Sequence, residues 1–128
     1  MVSDYELMLK DLNLNQKEID LMTNKSNLLE TVSLYYEKRK SKIHGIGIFA
    51  KKDINKHEFI GIAGINDLIK TTLCRWMNHS KANNARFFLT KNLDLLTFAT
   101  KKIKANTEIL INYRDHTLKP KLINIKSK

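Results

Sequence analysis

The sequence predicts a mostly β fold with short helices, an α+β domain, on two observations. After Tyr36 the apolar residues come in brief bursts with strand-like alternation, set apart by Asn, Lys and Asp clusters that make serviceable turns. Before Tyr36 they fall at helical spacing, and the runs open on cap-like residues. A chain of 128 residues has room for one ordinary core.

Tyr5, Met8, Leu9 and Leu12 share one helical face, and Ile19 and Met22 another. Ser3 with Glu6, Asn15 with Glu18 and Asn27 with Glu30 have capping-box spacing, in which the first side chain accepts a backbone N–H and the acid reaches back. Three small helices are therefore expected, covering the core or shaping a substrate groove. In the body, Ile46, Ile48 and Ala50 alternate with other residues, and residues 59–65, 85–89, 93–100 and 108–113 read as strands. No internal repeat or low-complexity linker is apparent. The lysine-rich stretch around Pro120 has too few apolar residues to fold by itself, so it is either frayed or docked on the site.

Composition narrows the function classes. No apolar run approaches the roughly 20 residues that span a bilayer, so no membrane span is expected. Asp4, Glu6, Lys10 and Asp11 interrupt the N-terminal stretch, so no signal peptide is visible, and an intracellular location, cytoplasm or host-cell interior, is the expectation. Cys74 is the lone cysteine and is expected as a buried structural thiol. His44, His57, His79 and His116 lack metal-ligand spacing, so no metal is expected. The net charge of +10, with lysines crowded at residues 38–42, 101–104 and in the tail, allows proximity to nucleic acid, although a Lys/Asn/Ile bias also follows from AT-rich codons.

Three segments can carry chemistry: KIHGIGIFA at residues 42–50, RWMNHS at residues 75–80 with Asn84 behind it, and EILINY at residues 108–113. Gly45, Gly47 and Ala50 also satisfy a dinucleotide-binding fingerprint, with Asp67 near the ribose-binding distance. The charged stretch before them is no buried parallel strand, however, and no helix pattern follows. The glycine pair could equally form a hairpin turn, Asn78-His79-Ser80 a polar turn, and Tyr113 a core aromatic.

Order and combination decide among these readings. IHGIGIFA, RWMNHSKANN and NTEILINY, in that sequence, resemble the SET family of protein lysine methyltransferases. The resemblance covers residues 36–116. It implies a SET-type fold of small sheets with a knot-like C-terminal threading, preceded by a helical appendage at 1–35 and followed by a basic tail at 117–128. It implies transfer of a methyl group from S-adenosylmethionine to a lysine side chain of a protein with an accessible lysine. Gly45, Ile46 and Gly47 would present backbone to the methionyl end of the cofactor, glycine suiting this because a missing Cβ lets a ligand approach the main chain. Asn78 and His79 would contact the cofactor, with His79 tying its loop to the C-terminal segment. Arg75 would hold a carboxylate or a structural partner. Tyr113 would be the active-site tyrosine, and Phe87 and Tyr36 would join it along the substrate channel; Phe88 and Tyr35 are further candidates there.

The chain departs from the family pattern in several places. The insert between residues 59 and 78 is nearly absent, so substrate reading must come from the N-terminal helices, from the aromatic residues or from a second subunit, and a homodimer is allowed. His57 and Asn106 stand where the family has turn glycines, and Asn83 where it has proline. The cysteine-rich zinc tail is missing, leaving Asp115, His116 and Leu118 as the lid over the cofactor's adenine, with His116 a cofactor contact. The minimal size resembles compact viral or bacterial members. A chain this basic favours a lysine on an acidic protein, or on one already bound to nucleic acid. The alternative function is a SET-like scaffold without activity that binds protein or nucleic acid; a plain nucleic-acid-binding domain finds no recognition helix in the sequence.

Overall fold

The computed structural model describes residues 6, 7, 10, 27–66 and 68–114. Residues 6, 7 and 10 are helical. The other residues of the first two capping boxes, and Tyr5, Met8, Leu9, Leu12, Ile19, Met22, Asp67, Asp115, His116, Leu118 and Pro120, lie outside the described residues.

The elements run β1 (Asn27–Leu29), β2 (Tyr36–Lys40), β3 (Ile46–Ala50), β4 (Phe59–Ile65), β5 (Ile69–Thr71), a short helix α1 (Thr72–Trp76), β6 (Asn78–His79), β7 (Ala85–Leu89), β8 (Leu95–Ala99) and β9 (Glu108–Ile111). They form a five-stranded sheet in the order β1-β5-β4-β8-β7 and a four-stranded sheet in the order β2-β3-β9-β6. This is the mostly β architecture that the alternation predicts. No helix among the described residues is long and apolar enough to cross a membrane.

Alternation sets which residues go inside. On β8, Thr97 and Ala99 are buried and pair with Phe87 and Ala85 of β7, which are buried too. Ile60 and Ala63 of β4, Leu73 of α1, Met77, Ile48 and Ala50 of β3, and Ile109 and Ile111 of β9 complete one core. Gly61 is needed at its crossing, because a Cβ there would stand 3.2 Å from Leu73 Cδ2 and from Tyr36 Cε2.

Several expectations change. Asn27 does not cap a helix: Asn27–Leu29 pairs in parallel with Ile69–Thr71, and the Asn27 N–H donates to the Leu68 carbonyl at 3.1 Å. A partner strand over forty residues away outweighs the local capping signal. Residues 36–40, which were not expected as a buried parallel strand, form an antiparallel one with Glu37 and Arg39 half-buried and Lys38 and Lys40 exposed. The strand expected from residue 93 begins at Leu95, because Leu93 sits at φ 66° in a turn closed by the Thr90 N–H to the Asp94 carbonyl at 2.9 Å.

The chain also contains a repeat, against the expectation of none: Phe49, Ala50, Lys52 and Ile54 recur as Phe98, Ala99, Lys101 and Ile103. Ile54 and Ile103 exchange both backbone hydrogen bonds, at 2.7 and 2.8 Å. Around this bridge, His57 N–H donates to the Ala99 carbonyl and Asn106 N–H to the Ala50 carbonyl, at 2.8 and 2.7 Å, with φ 71° and 72°. The Ala50 and Ala99 N–H groups in turn donate to Thr107 and Glu58 carbonyls. The two corners are therefore related by an approximate two-fold axis. His57 and Asn106 occupy the left-handed positions where glycine would be the strain-free residue.

Candidate active site

The site begins at the turn between β2 and β3. Ser41 N–H donates to the Gly45 carbonyl at 2.8 Å, and the Ser41 hydroxyl oxygen accepts the Ile43 and His44 N–H groups at 2.9 and 3.3 Å. Gly45 takes φ +45°, a left-handed conformation that costs other residues strain, and no atom lies within 4 Å of where its side chain would be. Ile46 is 39% exposed. The turn thus offers bare backbone to an open face.

α1 and the residue after it deliver the second segment. Arg75 in the last turn stacks over Trp76, its Cζ 4.4 Å from the ring centroid, and Lys38 Nζ approaches the same ring at 5.5 Å. This engages Arg75 as a structural partner of Trp76. Asn78 follows, 8% exposed, and its Nδ2 lies 3.1 Å from the His44 carbonyl, 3.2 Å from the Ile46 carbonyl and 2.9 Å from Glu108 Oε2. Three acceptors around one nitrogen fix the amide's orientation and send its Oδ1 away from the turn.

The third segment crosses the second as a parallel pair, Asn78 opposite Leu110 and His79 opposite Ile111. Asn84 locks this crossing from the other side. Its Nδ2 donates to the Glu108 carbonyl at 2.9 Å, its Oδ1 accepts the Leu110 N–H at 2.8 Å, and its own N–H donates to the Leu110 carbonyl at 3.1 Å. His79, 2% exposed, accepts the Tyr113 N–H on Nδ1 at 2.9 Å, which in the neutral ring puts the proton on Nε2. The His79 and Tyr113 rings lie 5.3 Å apart, and the Tyr113 hydroxyl donates to the Met77 carbonyl at 2.7 Å.

The three sequence segments therefore meet in one unbroken chain of contacts: turn to Asn78, Asn78 to the next residue His79, and His79 to Tyr113. Gly45, Ile46, Gly47, Asn78, His79 and Tyr113 are brought together. Phe87 and Tyr36 are core members at 4% and 5% exposure, with the Tyr36 hydroxyl bound to Thr31 Oγ1 at 2.9 Å. Phe88 is instead half-exposed on the outer sheet face, edge-on to Phe98. Tyr35 is hydrogen-bonded to Glu58, which raises its phenol, while the Asn55 N–H and then Tyr35 lower the Glu58 carboxyl.

The structure gives Gly47 a further reason. A Cβ there would stand 2.9 Å from Glu108 Cδ and 3.1 Å from Asn78 Nδ2, so a neighbouring carboxylate rather than a ligand fills the space. Ser41 was not among the sequence candidates, and Glu108 was one only as the start of the third segment and as an acid that could line the substrate groove. The signal that could have found Glu108 is the requirement for glycine at 47, opposite β9. Among the described residues no group of His, Cys, Asp or Glu could hold a metal ion. Cys74 packs against the core, and burial pushes its thiol up against the opposing pull of Lys70 and Arg75.

The SET domain family model matches residues 63–114. Among solved structures, the fold is similar to that of a candidate histone methyltransferase from Plasmodium falciparum, with a TM-score of 0.53 and 23% identity over 64% of this chain and 95% of that one. It is also similar to ctPRC2 in an autoinhibited conformation bound to S-adenosylmethionine, with a TM-score of 0.51 and 21% identity over 75% of this chain. This chain spans 17% of the length of that second chain. No curated protein matches the sequence.

Proposed function

We propose that this chain, whose residues 63–114 match the SET domain model and whose fold is similar to that of solved SET-type structures, transfers a methyl group from S-adenosylmethionine to the side-chain amine of a lysine on a protein. The observation that carries this reading is the convergence of the glycine turn, Asn78-His79 and Tyr113 through hydrogen bonds of 2.7 to 3.2 Å.

The residues fit that donor. Gly45 leaves open space where a side chain would stand, and Asn78 Oδ1, turned from the turn, can accept an ammonium N–H. Gly45, Ile46, Asn78 and His79 would hold the cofactor, with Gly47 making room beneath the turn. Arg75 stacks on Trp76 in the segment that leads into the site. S-adenosylmethionine supplies, when bound, a methyl group made electrophilic by a positive sulfur.

The chain's own residues then have three tasks. They align acceptor and donor, exclude water, and favour the neutral amine, since a lysine ammonium with a reference pKa near 10.4 must lose its proton before it attacks. An apolar passage lowers that pKa by desolvation. The Tyr113 hydroxyl gives its hydrogen to the Met77 carbonyl, so its oxygen presents lone pairs and can accept an N–H from the incoming amine. This assigns Tyr113 to orientation rather than to proton abstraction, and solvent takes the proton. The basic surface favours an acidic protein, or one bound to nucleic acid, as the substrate carrier.

Tyr113→Phe tests the assignment. Turnover should fall by at least about tenfold while cofactor affinity stays within a few-fold. Full activity in the variant removes Tyr113 from the mechanism. A wild-type chain that binds S-adenosylmethionine yet labels no protein of a mixed extract favours the binding-scaffold alternative.

A further inference from the structure

We infer that Glu108 is a positioning residue for the cofactor side of the site, holding the glycine turn and the Asn78 amide in a single arrangement; the inference rests on reading that turn as the S-adenosylmethionine platform. Glu108 opens β9 and pairs across the ladder with Phe49 of β3, which brings its side chain beneath the turn. Its two carboxylate oxygens accept the Ser41 hydroxyl at 2.9 and 3.0 Å, and Oε2 also accepts from Asn78 Nδ2 at 2.9 Å.

Each bond has a directional consequence. Because the Ser41 hydrogen goes to Glu108, the Ser41 lone pairs face the Ile43 and His44 N–H groups, which they accept at 2.9 and 3.3 Å. A carboxylate only accepts, so a flipped Asn78 would set its Oδ1 against Oε2 and against the His44 and Ile46 carbonyls at once. Glu108 therefore reinforces the one orientation in which Asn78 Nδ2, not Oδ1, faces the turn. Removing the carboxylate frees both the hydroxyl rotor and the amide, and the platform loses its pre-organisation. Gly47 is the complement of this arrangement, since only a residue without Cβ leaves room for the Glu108 carboxyl.

The account predicts a coupling that simple loss of a contact would not produce. Gly47→Ala forces Glu108 aside and should weaken cofactor binding. In a chain that already carries Glu108→Ala the added methyl meets less obstruction, so the double variant should lose less affinity than the sum of the single losses.

The experiment uses the full chain, titrating S-adenosylmethionine by calorimetry, with turnover at saturating cofactor and thermal unfolding followed in parallel. Glu108→Ala should weaken binding roughly tenfold or more, the worth of a charge-assisted hydrogen bond, while turnover at saturation stays within about threefold. Ser41→Ala, which spares the β9 strand, should weaken binding in the same direction, and Glu108→Gln, which keeps one acceptor, should fall between wild type and Glu108→Ala. Wild-type affinity in both Glu108→Ala and Ser41→Ala overturns the inference, as does strict additivity of the Gly47 and Glu108 changes. So does an affinity loss that merely tracks the unfolded fraction at the assay temperature. If the wild type itself binds no S-adenosylmethionine, the proposed function falls with it.

Discussion

Replacing Asn84 by alanine should destabilise the fold at the crossing that positions Tyr113, and the magnitude follows from its bonds. The Asn84 side chain is 8% exposed and serves two main-chain groups of β9, the Glu108 carbonyl at 2.9 Å and the Leu110 N–H at 2.8 Å. Alanine leaves both without their partner. A buried polar group left unsatisfied costs about 1–3 kcal/mol, and water entering the shortened site recovers part of this, so about 3 kcal/mol is expected for the pair. That is a large share of the roughly 5–15 kcal/mol by which domains are stable. In urea, with a slope of about 2 kcal/mol per molar, the midpoint should fall by about 1.5 M. In a thermal melt the midpoint should fall by about 12 °C. Asn83→Ala is the control, because the Asn83 amide donates only to the Ala85 carbonyl two residues on, at 3.1 Å, and should cost less than about 1 kcal/mol. A loss below about 1 kcal/mol for Asn84→Ala would refute the view that this side chain anchors β9.

Three further outcomes can be checked. Gly45 is left-handed with open space where a side chain would be, so Gly45→Asn should fold within about 1 kcal/mol of wild type and Gly45→Val should cost more, as thermal melts will report; equal costs would show that φ is not the constraint. Burial raises the Cys74 thiol, so at pH 8 less of it is thiolate in the folded chain than in the unfolded one. Alkylation by iodoacetamide should be much slower in buffer than in urea, and equal rates would place the thiol in the open. Methylation of acidic partners should be faster at low ionic strength, given the net charge of +10, whereas no salt effect or the reverse would count against electrostatic steering.

The parts of the fold legible in the sequence are those where one face is buried and the pattern is local. Ala85–Leu89 falls where alternation puts it, because it buries alternate residues for most of its length, whereas Phe59–Ile65 is a strand at the expected place whose alternation is broken by register shifts against β8. β1 was hidden because its pairing with β5 is parallel and distant, and the Asn27-to-Glu30 spacing imitates a helix start. β2 was hidden because Glu37 to Lys40 are all charged, although only one edge of that strand needs to be paired. The repeated corner was legible as Phe-Ala-x-Lys-x-Ile at Phe49–Ile54 and again at Phe98–Ile103, but a unit this short is easily passed over when His57 and Asn106 differ.

The site divides in the same way. Asn78, His79 and Tyr113 were legible as members of ordered motifs, and the structure connects them. The contact of Glu108 with Ser41 was not, because it joins residues 67 positions apart through side-chain hydrogen bonds that no local pattern encodes. The glycine at 47 was noticed for its missing side chain, but the cause, a carboxylate beneath it, belongs to β9.

The most direct measurement is to incubate the purified chain with S-adenosylmethionine carrying an isotopically labelled methyl group and a cell extract, then locate the label by mass spectrometry. The account predicts label on a lysine side-chain nitrogen of a protein, and little or none with Tyr113→Phe. Label that appears only on other atoms, or wild-type labelling by the Tyr113 variant, would contradict it.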